Sequence, residues 1–444
     1  MKKKKFICQN CGFESFKWLG KCPDCQGWET FKEEIVKKKE KEKKDNFEKA
    51  KKIIEIEVKK ELRIPLGFNG LNRVLGGGIV KGSMILIGGE PGVGKSTLML
   101  QISEDISKFD NVLYVSGEES IEQISLRAER LGIKNEKNFI LCTQDLENII
   151  EEIERIMPQV VIVDSIQTIY HPSIPTVAGT ITQIREVGNF LMEISKKKNI
   201  AFFITGQVTK EGTFAGPKAL EHLVDVVIYF EGEGKLANKM IRCYKNRFGP
   251  SSEVAFFEMK EKGLEEILSP SLLFMSSKEV LPGTSFGALY EGSTPLIAEI
   301  QALVVPTPFV APRRTAVCFD LQRLHLIIAV LQKHCKIDLS HFDVYLSVAG
   351  GFPLKESGAD LSAAVSLISS FKNIKIPKDS FFIGEISLTG RLRPVSQIKQ
   401  RIEEGIRMGF KRVFCPGIKE KIIKDIEIVS VESMEELLTK LFRL

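Results

Sequence analysis

The densest chemistry in the chain lies in Gly89-Glu90-Pro91-Gly92-Val93-Gly94-Lys95-Ser96-Thr97. It matches G-x-x-x-x-G-K-[ST], and it stands between an apolar run, Met84 to Ile87, and an amphipathic stretch, Leu98 to Ile106. Glycines let backbone N–H groups turn inward around phosphates, and the following helix N-terminus adds a favourable dipole. Lys95 is expected to reach the β and γ oxygens of a nucleoside triphosphate and Ser96 to ligate Mg2+. Asp164 ends the apolar run Val160 to Val163, so it is the candidate carboxylate for the Mg2+ water shell. After a further apolar run, Val112 to Val115, come Glu118 and Glu119; Glu118 is the preferred base for an attacking water, and two surface acids are the alternative. Gln207, just past Ile204-Thr205, is placed by position alone to sense the γ-phosphate.

A second centre is predicted from Cys8-x-x-Cys11 and Cys22-x-x-Cys25. Two C-x-x-C pairs can close a tetrahedral site with no open position for water, so structural Zn2+ is expected; a redox dithiol pair or an iron site are the alternatives. About thirty residues bury too little apolar surface to fold unaided, so the metal should supply most of the folding free energy. Trp18 and Trp28, the only tryptophans, are expected to cover this small core. The other five of the nine cysteines are scattered, and an odd total without a secretory signal argues for reduced thiols.

The elements that must carry these residues follow from patterning. With 444 residues, 43% apolar and 27% charged, the chain suits roughly three globular domains. No apolar run approaches bilayer length, so a cytoplasmic protein without membrane partners is expected. Residues 1–60 hold 18 Lys and no Arg against 11 Asp plus Glu; the rest hold 45 basic against 46 acidic residues, so the net +6 resides in the N-terminal arm. Such an arm is either a lysine-rich spacer or a steering element for polyanions. The short apolar runs, together with those at Ile200 to Ile204 and Val226 to Tyr229, read as buried parallel strands. Helical periods lie between them, as at Met99, Ile102, Ile106 and at Ile149, Ile153, Ile156. The predicted class is therefore α/β, with a ribbon over 1–31, a charged linker over 32–61, an ATPase core with a mainly parallel sheet over 62–272, and a C-terminal α/β domain over 273–444.

Taken together, the four-cysteine ribbon, Leu75-Gly76-Gly77-Gly78, the phosphate loop and Lys245-Asn246-Arg247-Phe248-Gly249 resemble the bacterial RadA (Sms) family end to end. The resemblance implies a RecA-type core related to the helicase DnaB. It implies a DNA-dependent ATPase acting in recombination and repair by branch migration, as a homohexamer with ATP between subunits. Single-stranded and branched DNA are the implied substrates, and a recombinase such as RecA or a helicase the implied partner. Lys245 and Arg247, two apart on an extended stretch, become the cations that one subunit supplies to its neighbour's γ-phosphate. DNA-facing loops would be Gln167 to Ile181 and Val208 to His222, with Lys210, Lys218 and His222 as polar contacts; for His222 a structural hydrogen bond is the favoured reading.

Residues from about 285 resemble the peptidase domain of Lon, most clearly Gly384-Glu385-Ile386-Ser387-Leu388-Thr389-Gly390-Arg391 and Lys399. The nucleophile segment reads Ser357-Gly358-Ala359-Asp360-Leu361, which displaces every hydroxyl from the Lon position, so a non-peptidase scaffold is expected. Arg313 and Arg314 are candidate phosphate contacts there. A Lon-type peptidase and a KaiC-like phosphorylating switch are the alternative functions.

Overall fold

The computed structural model describes residues 4–8, 14–15, 17–23, 26–35, 63–207, 220–232, 238–275, 280–351, 356–417 and 425–442. The chain forms two units, residues 1–60 and 61–444. In the first, strands β1 (Lys4–Cys8), β2 (Glu14–Ser15) and β3 (Phe31–Ile35) make an antiparallel sheet in the order β2-β1-β3. Trp18 and Trp28 are both exposed, at 54% and 72%, and the Lys21 ammonium lies over the Trp28 ring. They do not cover a core as expected; a ribbon this small leaves an indole one face in water.

In the second unit, a two-stranded ribbon pairs β4 (Arg63–Ile64) with β5 (Ile79–Val80). The nine-stranded sheet that follows has the order β14-β13-β12-β11-β6-β10-β9-β7-β8. Its parallel part comprises β6 (Met84–Gly89), β7 (Val112–Ser116), β8 (Asn138–Cys142), β9 (Val160–Asp164), β10 (Ala201–Gln207) and β11 (Val226–Glu231). Antiparallel β12 (Asn238–Asn246), β13 (Val254–Lys260) and β14 (Gly263–Glu266) extend it. The central strand β6 is buried throughout, and it reads as an uninterrupted apolar run because apolar cores pack against both of its faces. Each of Ile85, Leu86 and Ile87 contributes about 2 kcal/mol by leaving water.

Helices α1 (Asn69–Val74), α2 (Lys95–Ser107), α3 (Ile121–Leu131), α4 (Leu146–Ile156) and α5 (Ile181–Lys198) cover the sheet. The stripe Met99, Ile102, Ile106 of α2 packs in the core on one face, and Ile149, Ile153, Ile156 of α4 in the core on the other, as their spacing predicts. Local chemistry sets the helix ends. Ser120 and Gln123 form a reciprocal capping box on α3, Gly132 closes it in the left-handed region, and Asp145 caps α4 through the Glu147 N–H.

A seven-stranded sheet follows, in the order β17-β18-β16-β15-β19-β22-β23. Its strands are β15 (Thr284–Glu291), β16 (Thr294–Pro306), β17 (Arg314–Val317), β18 (Phe342–Val348), β19 (Ser380–Phe382), β22 (Arg412–Cys415) and β23 (Glu427–Ser430). The pair β20 (Glu385–Ile386) and β21 (Leu392–Arg393) stands beside it, with helices α6 (Leu321–Cys335), α7 (Asp360–Lys372) and α8 (Ile398–Arg407). The core of this part also takes in Met240, Val254 and Phe256 from the first sheet, so the two sheets share apolar packing across residue 272. Among the described residues, no helix is long and apolar enough to cross a membrane.

Candidate nucleotide-binding and catalytic site

The loop between β6 and α2 takes the shape its composition predicts. Gly92 and Gly94 have φ of 74° and 118°, left-handed values that a side chain at either position would strain, and Gly94 caps α2. A Cβ on Gly92 would meet nothing within 4 Å, so this side of the loop faces open space. Glu90, Pro91 and Val93 complete the loop, and Ser96 and Thr97 form the first turn of α2 behind Lys95. The Lys95 ammonium donates to the carbonyls of Gly89 (2.8 Å) and Glu90 (2.9 Å). Burial lowers its pKa, and the charges of Asp164 and Glu118 oppose that shift. Both acids therefore lie within electrostatic reach of the phosphate-loop lysine.

Asp164 ends β9, and Ser116 lies opposite it in register on β7. Its two oxygens have separate donors: Tyr114 Oη at 2.6 Å on Oδ2 and Thr205 Oγ1 at 2.5 Å on Oδ1. Sequence reasoning missed Tyr114; its one signal was a phenol in an otherwise apolar strand. Glu118 accepts from Ser165 Oγ at 2.6 Å. Glu119 instead forms an ion pair with Arg127 of α3 at 2.6 Å. The two neighbouring acids thus differ in kind, one tied beside Asp164 by a neutral hydroxyl and the other engaged by a guanidinium. Gln207 stands opposite Gly89 in the β10–β6 register, at the phosphate end of the sheet, and its carbonyl accepts from Gln167. The Asp164 carboxylate and the Ser96 hydroxyl are hard oxygen donors of the kind that could hold Mg2+.

Lys245 and Arg247 are not brought to this place. β12 runs antiparallel to β11, with Val227 facing both Lys245 and Leu86, so both cations lie toward the end where β6 begins. Lys245 donates to the carbonyls of Glu221 (2.6 Å) and Val224 (2.8 Å), and Arg247 pairs with Asp225 at 3.3 Å. Asp225 also accepts from the Met84 N–H and from Lys196. The two glycine motifs meet beside them. A Cβ on Gly249 would stand 2.8 Å from Gly76 Cα, and Arg63 binds the carbonyls of both Gly76 and Phe248. Asn246 adds a bond to the Val74 carbonyl, so L-G-G-G and K-N-R-F-G form one packed corner. Contact this close between backbones is why glycine stands at each position.

Of the DNA-facing loops, residues 208–219 with Lys210 and Lys218 lie outside the described residues. His222 is exposed and has no hydrogen-bond partner among them, which removes the structural role expected for it. Arg314 is bound to the carbonyls of Phe342, Leu339 and Arg313, and so serves the β17–β18 edge rather than a phosphate; Arg313 stacks on Phe309. Of the four predicted metal ligands, Cys11 and Cys25 lie outside the described residues, and Cys8 is placed only as the end of β1. Cys22 is buried, in a turn closed by Gln26 N–H to Cys22 O and Cys22 N–H to Gly27 O.

Where Lon would place its nucleophile, this chain places ion pairs. Arg401, 1% exposed, pairs with Glu356 at 2.8 Å, and a Cβ on Gly358 would collide with both partners. Asp360 is buried against Arg323 and the Ile386 N–H. Lys399 is exposed and lies 3.9 Å from Glu403, and the Ser362 hydroxyl is spent on the Ala359 carbonyl.

A family model described as an AAA domain matches residues 68–213, a rubredoxin metal binding domain matches 6–33, and a model described as subunit ChlI of Mg-chelatase matches 307–418. Among solved structures, a KaiC-like protein of Pyrococcus horikoshii is 20% identical and covers 47% of this chain and 99% of its own, with a TM-score of 0.40. The RadB recombinase is 24% identical and covers 45% and 98%, with a TM-score of 0.37. The DNA repair protein RadA of Bacillus subtilis is 46% identical over 98% of both chains. That of Streptococcus pyogenes serotype M1 is 45% identical over 99% of both. An N-terminal zinc ribbon, an ATPase core on a mainly parallel sheet and a Lon-like C-terminal α/β fold thus occur in one chain, aligned nearly end to end with these relatives: the chain belongs to the bacterial RadA family of DNA repair proteins.

Proposed function

We propose that the chain is a DNA-stimulated ATP hydrolase that assembles into a homohexameric ring and moves on single-stranded and branched DNA, extending heteroduplex during break repair in the cytoplasm. In this reading residues 1–31 are the zinc ribbon, whose last strand β3 runs on to Ile35 into a linker over 32–61, while 62–272 are the motor and 273–444 a scaffold without peptidase activity. Residues 89–97 hold ATP, Ser96 and Asp164 hold Mg2+, Glu118 activates water, Gln207 senses the γ-phosphate, and Cys8, Cys11, Cys22 and Cys25 hold zinc. The observation that carries the reading is the separation of Lys245 and Arg247 from their own phosphate loop. Arg247 lies level with Met84, and five residue steps of β6 to Gly89 span roughly 17 Å, more than its side chain reaches. Cations so placed serve a γ-phosphate only if it belongs to an adjoining subunit, as the heterologous interfaces of a ring allow.

The test is ATP hydrolysis with and without single-stranded DNA, beside the mass of the assembly and degradation of casein. Stimulation by DNA, a ring-sized mass and intact casein are expected. A strictly monomeric protein whose turnover ignores DNA would refute the proposal, and casein cleavage would favour the Lon-type alternative.

A further inference from the structure

Tyr114 is 1% exposed in the middle of β7, where Val112, Leu113 and Val115 are apolar. A phenylalanine would fill the same volume, and among the described residues the hydroxyl has one hydrogen bond to explain it, the 2.6 Å bond to Asp164 Oδ2. The phenolic O–H is the donor in this bond and the carboxylate oxygen its acceptor. On the other side of the carboxylate, Thr205 from β10 donates to Oδ1. Three neighbouring strands therefore converge on one side chain, one supplying the acid and two supplying its donors. A carboxylate presents about four lone-pair positions. With one on each oxygen occupied, rotation about the Cβ–Cγ bond would break both hydrogen bonds together.

We propose that Tyr114 and Thr205 are positioning residues that lock the Asp164 carboxylate in the orientation required for Mg2+-dependent nucleotide binding. This rests on the reading of Asp164 as holder of the Mg2+ water shell. The hydroxyls touch neither nucleotide nor metal; they act through Asp164. Removing one leaves the phosphate loop and Lys95 intact, so binding of the nucleotide alone is spared and only the gain conferred by the metal is reduced.

The experiment is an equilibrium titration of the full chain with a fluorescent ATP analogue, first in EDTA and then across a range of Mg2+ concentrations. For Tyr114→Phe, affinity in EDTA is expected to match the unaltered chain. The half-saturating Mg2+ concentration should rise about tenfold, what loss of one charge-assisted hydrogen bond costs when it falls on the metal-bound state. Thr205→Val, which removes the other donor at similar volume, should move the midpoint in the same direction and carries the test should Tyr114→Phe fail to fold. An unchanged Mg2+ midpoint in a folded variant overturns the proposal. Equal weakening in EDTA does so too, because it would make Tyr114 a packing residue only. A Lys95→Ala control separates this from failure of the nucleotide site: if it binds the analogue as tightly as the unaltered chain, the site itself is misread. If Lys95 matters while Tyr114→Phe keeps the normal midpoint, only the positioning role fails.

Discussion

Arg247→Ala tests whether one subunit completes another's site. Arg247 is 55% exposed, and its ion pair with Asp225 is therefore screened, so its loss costs under about 1 kcal/mol of stability. Asp225 keeps the Met84 N–H and Lys196 as partners, and the fold should survive. Catalysis should not, because a cation delivered to the transition-state phosphoryl group contributes about 10³ to 10⁵ in rate. The decisive assay mixes two inactive variants, Arg247→Ala, which keeps its phosphate loop, and Lys95→Ala, which keeps its basic pair. In random equimolar rings about one interface in four joins an intact loop to an intact Arg247 from the neighbour, so about a quarter of the per-site turnover should return. If the arginine served its own nucleotide, no combination would restore activity. A silent mixture with proven subunit exchange would refute the reasoning, as would an Arg247→Ala variant with undiminished DNA-stimulated turnover.

Glu118→Gln should lower hydrolysis by about 10² to 10⁴ with nucleotide affinity kept, whereas Glu119→Gln, which only loosens the Arg127 contact, should leave turnover within about threefold; equal losses would reverse the assignment. Arg323→Ala leaves the Asp360 carboxylate buried with the Ile386 N–H alone and should cost about 3 to 5 kcal/mol in urea unfolding. Burial already raises the Asp360 pKa against the pull of Arg323, so in this variant it rises further. A raised carboxyl makes the folded state bind more protons, and the penalty should therefore shrink as pH falls through that value; a pH-independent penalty would contradict the account. Chelation should release one zinc per chain and unfold the ribbon while Mg2+–ATP binding by residues 61–444 persists, as read by metal analysis and nucleotide titration. Loss of both together would show that the units are not independent.

The phosphate loop was legible because its chemistry is local: glycines, a lysine and a hydroxyl within nine residues, between an apolar run and an amphipathic one. The core strands were legible for a related reason, since burial on both faces leaves uninterrupted apolar runs at Met84 to Ile87 and Val160 to Val163. Spacing likewise set Lys245 and Arg247 on one extended segment, yet the strand ends at Asn246 and leaves Arg247 in the bend beyond it, and spacing did not show the end of the sheet at which the two stand. That depends on β12 running back along β11, a pairing decided by the whole sheet. The Tyr114 and Thr205 donors were hidden because they come from strands that become Asp164's neighbours only when the order β10-β9-β7 forms. The tryptophans and Arg314 were misread for a shared reason: a residue's type states what it can do, while burial and partners decide what it does. Sequence alone therefore fixed the chemistry carried by each short segment, whose physics is that of neighbours along the chain. Which carboxylates are held by hydroxyls and which cations stand too far from their own loop were settled by contacts across 22 to 50 residues, and those exist only in the folded chain.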